Sequence, residues 1–208
     1  HVEDLNPAER EFFKASVLLR DREVAAVKAR QQNELEVAKR LAAEAQARYG
    51  SDKPDLRFGL EIEDATEATR GSEFGVFASA AAVRFLRVPQ AFSRAELERL
   101  EAFAKEWGAK GLAYLVVADD GEVRSPIAKF LSEVELTHFR SDPGSTVLFA
   151  ADEPSVTARV LGALRLHLGR ELDLIDEEAW RFVWITDFPM FEWDEEAERW
   201  KAVHHPFA

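Results

Sequence analysis

The sequence contains no cysteine, which excludes disulfide bonds, thiolate zinc sites and a cysteine nucleophile. It also lacks any apolar run near the roughly 20 residues that span a bilayer, so we expect a soluble, cytoplasmic protein without a membrane partner. Neither common type of glycine-rich phosphate loop occurs. His138 and His167 have no further ligands at zinc spacing, so no metal site is predicted.

Basic residues are in deficit. Lys and Arg number 27 against 39 Asp and Glu, which gives a formal net charge of -12. This balance disfavours nucleic-acid binding over the whole surface, because phosphates attract basic patches, and leaves only a local patch for that role. Hydrophobic residues make up 47% of the 208 residues, enough for the packed core of one large or two small domains.

Glycine is absent from the first 49 residues, and proline occurs there only at Pro7. Asn6, Pro7 and Glu9 suit the N-cap, the first helical position and the capping box of a helix. We therefore predict one long charged helix over residues 6–47. Its apolar stripe is strong at first and thins after Val27, which favours a solvated helix over a coiled coil. Pairing of this helix with itself or with a partner stays open.

Residues 58–177 alternate short apolar runs with helical patterns. Residues 75–77, 83–88 and 112–117 are predicted strands. Ser93 and Glu96 form a capping box that begins a helix, and Gly108 ends it. This order of strands and helices predicts an α+β domain with a mixed sheet and helices.

Residues 178–208 predict two antiparallel strands around an acidic turn, with Trp193 and Trp200 as a cross-strand pair. Strands of this kind leave an unpaired edge and exposed aromatic side chains. Self-association through these strands, or through the long helix, is therefore an open prediction.

Two phrases of the sequence are specific, and in this order and spacing they resemble the middle of bacterial-type aspartyl-tRNA synthetases. They are Arg48-Tyr49-Gly50-Ser51-Asp52-Lys53-Pro54-Asp55-Leu56-Arg57-Phe58-Gly59, and Asp187-Phe188-Pro189-Met190-Phe191-Glu192-Trp193 followed by His204-His205-Pro206-Phe207. Three phrases between them resemble the GAD-type insertion domain of that family, which also occurs in a subunit of tRNA-dependent amidotransferases. They are Gly108-Ala109-Lys110-Gly111-Leu112-Ala113, Ser125-Pro126 with Lys129-Phe130-Leu131, and Leu161-Gly162-Ala163-Leu164-Arg165.

The resemblance implies a domain organisation. Residues 48–57 would be a connector, 58–177 the GAD-type insertion domain and 178–208 two strands of the class II catalytic core. Residues 1–47 depart from the family, because the Phe-Arg-Asp-Glu core of its class II motif does not occur there. We therefore expect a fragment or chimera with a junction near residues 40–48. Within the connector, residues 51–54 are predicted to act as a structural hinge rather than a ligand site.

The resemblance also implies a function, the ATP-dependent attachment of aspartate to tRNA in translation. ATP and Mg²⁺ would serve the parent enzyme, with tRNA and aspartate as its partners, and this chain alone is expected to be inactive and to need no cofactor. Two alternatives stay open. One is a non-catalytic module that contacts the tRNA acceptor end, as in amidotransferase subunits, and the other is an interaction protein that acts through its helix.

Site residues follow from the same resemblance. His204 corresponds to a histidine that contacts the aspartate substrate, and His205 to its neighbour. A modest basic face is predicted as an RNA contact, formed by Arg84, Arg87, Lys105, Lys110 and Lys129. Whether a parent enzyme would charge only the aspartate tRNA or also the asparagine tRNA is not decided by these residues.

Overall fold

The computed structural model describes residues 6–182, 191–194 and 199–202. The chain divides into two compact units, one of residues Ala43–Ile185 and one of His1–Ala42 with Thr186–Ala208. No helix in the described part of the chain is both long and apolar enough to cross a membrane.

Helix α1 runs from Pro7 to Tyr49, two residues beyond the predicted end. The predicted capping box is present, because the Asn6 side chain accepts from the Glu9 amide at 3.0 Å and the Glu9 carboxylate accepts from the Asn6 amide at 2.8 Å. Gly50 ends the helix with a φ of 71°. The early apolar side chains are exposed, as expected for a solvated helix: Phe12, Phe13, Leu18, Leu19, Val24 and Val27.

The larger unit contains a five-stranded sheet and its helices. In chain order its elements are β1 (Ile62–Asp64), α2 (Gly75–Ser79), β2 (Ala82–Val88), α3 (Arg94–Glu106), β3 (Ala113–Val117), β4 (Val123–Arg124), a 3-10 turn (Ala128–Phe130), α4 (Glu133–Phe139), β5 (Ser145–Asp152) and α5 (Pro154–Glu171). The strand order across the sheet is β1-β2-β5-β3-β4. The α+β class expected from the sequence is confirmed.

The expectation of a mixed sheet is wrong, because every strand pair of this sheet is antiparallel. Helix α3 connects two strands of the same direction, β2 and β3. Strand β5 is inserted between them and runs the opposite way, so that β2 and β3 never touch. The position of β5, which follows both strands in the sequence, thus makes each strand pair antiparallel.

The predicted strand at residues 75–77 is also wrong, since Gly75–Ser79 form the short helix α2. Phe74 and Phe77 lie three residues apart, which places their rings on one side of a helix. The rings meet edge to face with their centroids 4.9 Å apart, and Phe77 is fully buried. Aromatic packing therefore overrides the weak strand propensity of this segment.

Side chains alternate across the sheet and build two cores. Leu86 of β2 packs with Leu100 of α3 and Leu164 of α5 on one face. Phe85 packs with Phe139 of α4 on the other face. Both faces of β2 are covered by helices, so apolar residues occupy both faces of the strand and are interrupted by the partly buried Arg84 and Arg87.

Helices α3 and α4 both begin at capping boxes. The Ser93 hydroxyl accepts from the Glu96 amide at 3.4 Å and begins α3, as the sequence predicts. Ser132 does the same for α4, and both its amide and its hydroxyl donate to the Glu135 carboxylate at 2.8 and 2.7 Å. The Glu135 side chain is buried, so these two donors stabilise a carboxylate that is shielded from solvent.

The smaller unit contains a hairpin of β6 (Phe191–Asp194) and β7 (Arg199–Ala202). Trp193 is opposite Trp200, so the predicted cross-strand pairing is confirmed in register. The remainder of the predicted strands, residues 183–190 and 203–208, lies outside the described residues.

Candidate functional site

The two predicted aspartate-binding residues, His204 and His205, lie outside the described residues. The structure describes the hairpin that precedes them in the chain and nothing of the histidines themselves. Their role in binding aspartate therefore stays a prediction.

The five predicted RNA-contacting cations do not share one face. Arg84 and Arg87 are three residues apart on β2, so their side chains lie on opposite sides of the sheet. Arg84 donates to the carbonyl of Pro154 at the start of α5 at 3.2 Å. Arg87 donates to the carbonyl of His138 in α4 at 2.9 Å. The predicted basic face is thus divided by the sheet.

Most of these cations also have a carboxylate partner. The ion pairs are Arg84–Asp64, Arg87–Glu63, Lys105–Glu101 and Lys110–Asp152. The Lys110 ammonium lies 2.9 Å from the Asp152 carboxylate and lowers the pKa of that group below its usual value. Lys129 lies with its ammonium 4.8 Å from the centre of the Phe130 ring. Partner carboxylates offset the positive charge that a phosphate would meet here.

The structure places its most elaborate polar arrangement at the connector, which lies against helix α5. The backbones of Gly50 and Gly162 approach so closely that a Cβ on Gly162 would lie 2.7 Å from the Gly50 carbonyl oxygen. A Cβ on Gly169 would lie 2.6 Å from the ring of Phe58. Two glycines of α5, seven residues apart and on one side of the helix, therefore make room for the connector.

Arg165 lies between these two glycines and is 1% exposed. Its Nε donates to the carbonyl of Leu60 at 2.9 Å. Its Nη2 donates to the carbonyls of Asp55, Phe58 and Gly59 at 2.8, 3.2 and 3.1 Å. One guanidinium thus satisfies four backbone acceptors of the connector region, residues 55–60.

Two aromatic rings flank the same guanidinium. Its central carbon lies 4.1 Å from the centre of the Phe58 ring and 5.1 Å from that of Tyr49. Burial lowers the pKa of Arg165 from its usual value, against the attraction of Asp55. Carbonyl dipoles and ring faces compensate the loss of water around the charge.

Arg57 ties the connector to the chain that leaves α5. It donates to the Asp55 carboxylate at 2.8 Å and to the Glu177 carboxylate at 2.9 Å. Hydrogen bonds from the Arg57 side chain, followed by the one from its amide, hold the pKa of Asp55 below its usual 3.8 despite partial burial. The two ends of the sheet domain, near residues 57 and 177, are therefore adjacent in space.

Sequence analysis assigns Arg165 no role beyond its place in a family-like phrase, although its position in the sequence contains a signal. It lies on the stripe of α5 that Leu161, Leu164 and Leu168 otherwise fill with apolar side chains. A lone arginine on a buried helical stripe requires buried acceptors. The pattern thus predicts that Arg165 has buried polar partners but does not identify them. In the structure these partners are backbone carbonyls of residues 55–60.

Two open clefts also lie on this unit. One of about 600 Å³ lies beside α3 and β3 and is lined in part by Phe92, Tyr114 and Arg124. Another of about 510 Å³ lies beside Leu60 and Arg87. No group of three His, Asp or Glu side chains in the described part of the chain is placed to hold a metal ion.

Comparison with known proteins agrees with the motifs. Residues 75–161 match the model of the GAD domain family. The chain is 47% identical over 176 residues to the aspartate–tRNA(Asp/Asn) ligase of Bacillus mycoides (strain KBAB4). It is 49% identical over 176 residues to the aspartate–tRNA ligase of Xanthomonas oryzae pv. oryzae (strain MAFF 311018). Each alignment covers 79% of this chain and 30% of the relative, so the chain spans about a third of the length of these curated relatives.

The resemblance to bacterial aspartyl-tRNA synthetases is therefore confirmed, GAD domain included. A solved structure of a hypothetical protein from Pyrococcus horikoshii OT3 covers 45% of this chain at 20% identity, with a TM-score of 0.30. A score so low says nothing about the fold.

Proposed function

We propose that this chain is part of an aspartate–tRNA ligase, which attaches aspartate to tRNA in an ATP-dependent reaction of translation. The observation that carries the proposal is the 47–49% identity to two such ligases over 79% of the chain. Ligases named for tRNA(Asp/Asn) and for tRNA alone match about equally well, so identity does not choose between the two specificities.

In this proposal residues 58–177 are the GAD-type insertion domain, reached through the connector at 48–57. Residues 178–208, with the β6–β7 hairpin, belong to the class II catalytic core, and residues 1–47 are not synthetase-like. The 2.9 Å contact between Arg57 and Glu177 supports an insertion, because a domain inserted into another must enter and leave at one place.

The residues that hold ATP and Mg²⁺ are assigned to other parts of the ligase. Class II activation needs positive charge on the phosphates, and the Phe-Arg-Asp-Glu core expected before the connector is not in this sequence. The described residues offer no cluster of metal ligands either. We expect the 208-residue chain alone to show only background aspartate-dependent pyrophosphate exchange, and exchange above background would refute this part.

A hybrid enzyme tests the main proposal. The segment of the Bacillus mycoides ligase that aligns with this chain is replaced by the corresponding residues of this chain. We expect aspartylation of tRNA with a kcat/KM within tenfold of the parent ligase. A soluble, folded hybrid with no measurable aspartylation would contradict the proposal.

Substitutions in the hybrid test the predicted substrate contact. His204→Ala should raise the KM for aspartate at least tenfold and leave the KM for tRNA unchanged, because the imidazole would contact only the amino acid. His138→Ala is the matched control, since its backbone carbonyl rather than its ring holds Arg87. Equal KM values for aspartate in all three proteins would remove His204 from the site.

RNA contact by the five cations remains a separate proposal. Counterion release makes such binding fall steeply as the salt concentration rises. A gel shift of tRNA by this chain at low salt, weakened by added salt and by Lys110→Ala, would support it. No binding at low salt would end it.

A further inference from the structure

We propose that Arg165 is a positioning residue that fixes the connector on helix α5, so that residues 49–60 are a rigid part of the insertion unit and not a hinge. The proposal is based on the geometry of this unit and is independent of the proposed enzymatic function. Residues 51–54 are then not a hinge. They belong to a segment, residues 49–60, here called the strap, that stays packed against α5 in the native state.

Arg165 makes hydrogen bonds to several backbone carbonyls of the strap. Four carbonyls between residues 55 and 60 converge on one side chain within 2.8–3.2 Å. A guanidinium has five N–H donors in a planar fork, whereas a lysine ammonium is a single point with three. Through this fork Arg165 reaches the carbonyls of both Asp55 and Leu60. These partly buried carbonyl oxygens would lose their hydrogen-bond donor if the guanidinium were removed.

The aromatic contacts join two different parts of the strap. Tyr49 is the last residue of α1, and Phe58 lies nine residues later in the strap. Both rings lie within about 5 Å of the Arg165 guanidinium. Because a cation attracts the faces of both rings, the side chain holds the end of the helix and the connector at once.

The backbone of the strap is strained at Leu60, a residue to which Arg165 donates a hydrogen bond. Leu60 has a φ of 60°, a left-handed conformation that is unfavourable for a bulky side chain. Arg165 binds the carbonyl of this same residue at 2.9 Å. A strained residue persists only when its surroundings hold it, and here the surroundings include the buried guanidinium.

The shape of α5 complements these polar contacts. Gly162 and Gly169 leave a shallow groove on either side of Arg165, and Gly50 and Phe58 fill it. Contact of this closeness leaves the strap no freedom to slide along the helix. The ion pair of Arg57 with the exposed Glu177 lies outside the groove, so its loss should destabilise the strap less.

Hydrogen exchange of the whole chain, followed by mass spectrometry, tests the proposal. The informative amides are those of Gly50, bonded to the Gln46 carbonyl, and Arg57, bonded to the Asp55 carboxylate. In Arg165→Lys we expect residues 49–57 to exchange at least tenfold faster, while β2 and β5 change less than threefold. A lysine keeps the positive charge but lacks the planar set of donors of the guanidinium. If only the charge mattered, exchange of residues 49–57 in Arg165→Lys would stay unchanged.

Arg159→Met is the control, because Arg159 lies on the same helix, is exposed and donates from Nε to the Trp107 carbonyl at 3.0 Å rather than to the strap. It should leave residues 49–57 unchanged. Phe58→Leu, which keeps the guanidinium and removes one ring, should give an intermediate increase and covers the case in which Arg165→Lys does not fold. Unchanged exchange of residues 49–57 in Arg165→Lys, or an equal increase in β2 and β5, would overturn the proposal.

Discussion

Replacing Gly162 by alanine should destabilise the larger unit, although the same change in an ordinary helix does the opposite. Gly162 lies inside α5, where alanine is favoured over glycine by about 1 kcal/mol. A Cβ at this position would lie 2.7, 2.9 and 3.0 Å from the carbonyl oxygen, Cα and carbonyl carbon of Gly50. The sign of the effect therefore reports whether the connector is closed on the helix.

The magnitude follows from what has to move. Cβ atoms are in ordinary contact at 3.4–4 Å, so the Gly50 backbone would have to retreat by more than half an ångström. Overpacking of a close-packed site costs about 1–3 kcal/mol, and a backbone cannot rotate away as a side chain can. We take about 3 kcal/mol, which the gain in helix propensity reduces to a net loss of about 2 kcal/mol.

Native-state hydrogen exchange of the β5 amides measures the change, because β5 is the central strand and reports the global opening of this unit. Gly75→Ala is the control, since no atom lies within 4 Å of its added Cβ, and it should change the free energy of unfolding by less than about 0.5 kcal/mol. A Gly162→Ala protein that is more stable by about 1 kcal/mol would show that the connector does not lie on α5.

Three further outcomes are expected. Gly169→Ala should destabilise the wild type but stabilise Phe58→Ala by about 1 kcal/mol, as measured by a double-mutant cycle in urea, because the three atoms nearest to the added Cβ all belong to the Phe58 ring. Asp55→Asn should flatten the loss of stability below about pH 3.8, measured by acid titration. A depressed carboxylate pKa contributes stability above the unfolded value and loses it as the pH falls through the folded one. Ser132→Ala should cost about 2 kcal/mol in urea unfolding, more than Ser93→Ala, because only Ser132 caps a buried carboxylate.

Local signals of the sequence predicted local structure well. The absence of glycine before residue 50 and the Asn6–Glu9 capping box predicted α1, and the Ser93–Glu96 box predicted the start of α3. These features depend on neighbours within four residues, whose geometry a helix fixes. The direction of β5 between β2 and β3 depends on residues about 60 positions apart, and no local pattern encodes such a pairing.

The predicted site shows the same limit. Arg84 and Arg87 share a charge and are close in the sequence, but an odd spacing on a strand places them on opposite faces. Once the strand was predicted, its period of two could have separated them. Their carboxylate partners, Asp64 and Glu63 on β1, lie 20 and 24 residues away and could not have been predicted.

The phrase from Arg48 to Gly59 and the phrase from Leu161 to Arg165 are far apart in the sequence, yet they form the two sides of one contact. Gly50 needs Gly162 opposite it, and the carbonyl of Gly59 needs the guanidinium of Arg165. The first phrase lies outside residues 75–161, which match the GAD domain family. The folded domain in this chain therefore extends to the connector, because helix α5 would otherwise expose Arg165 and leave the groove at its glycines unfilled.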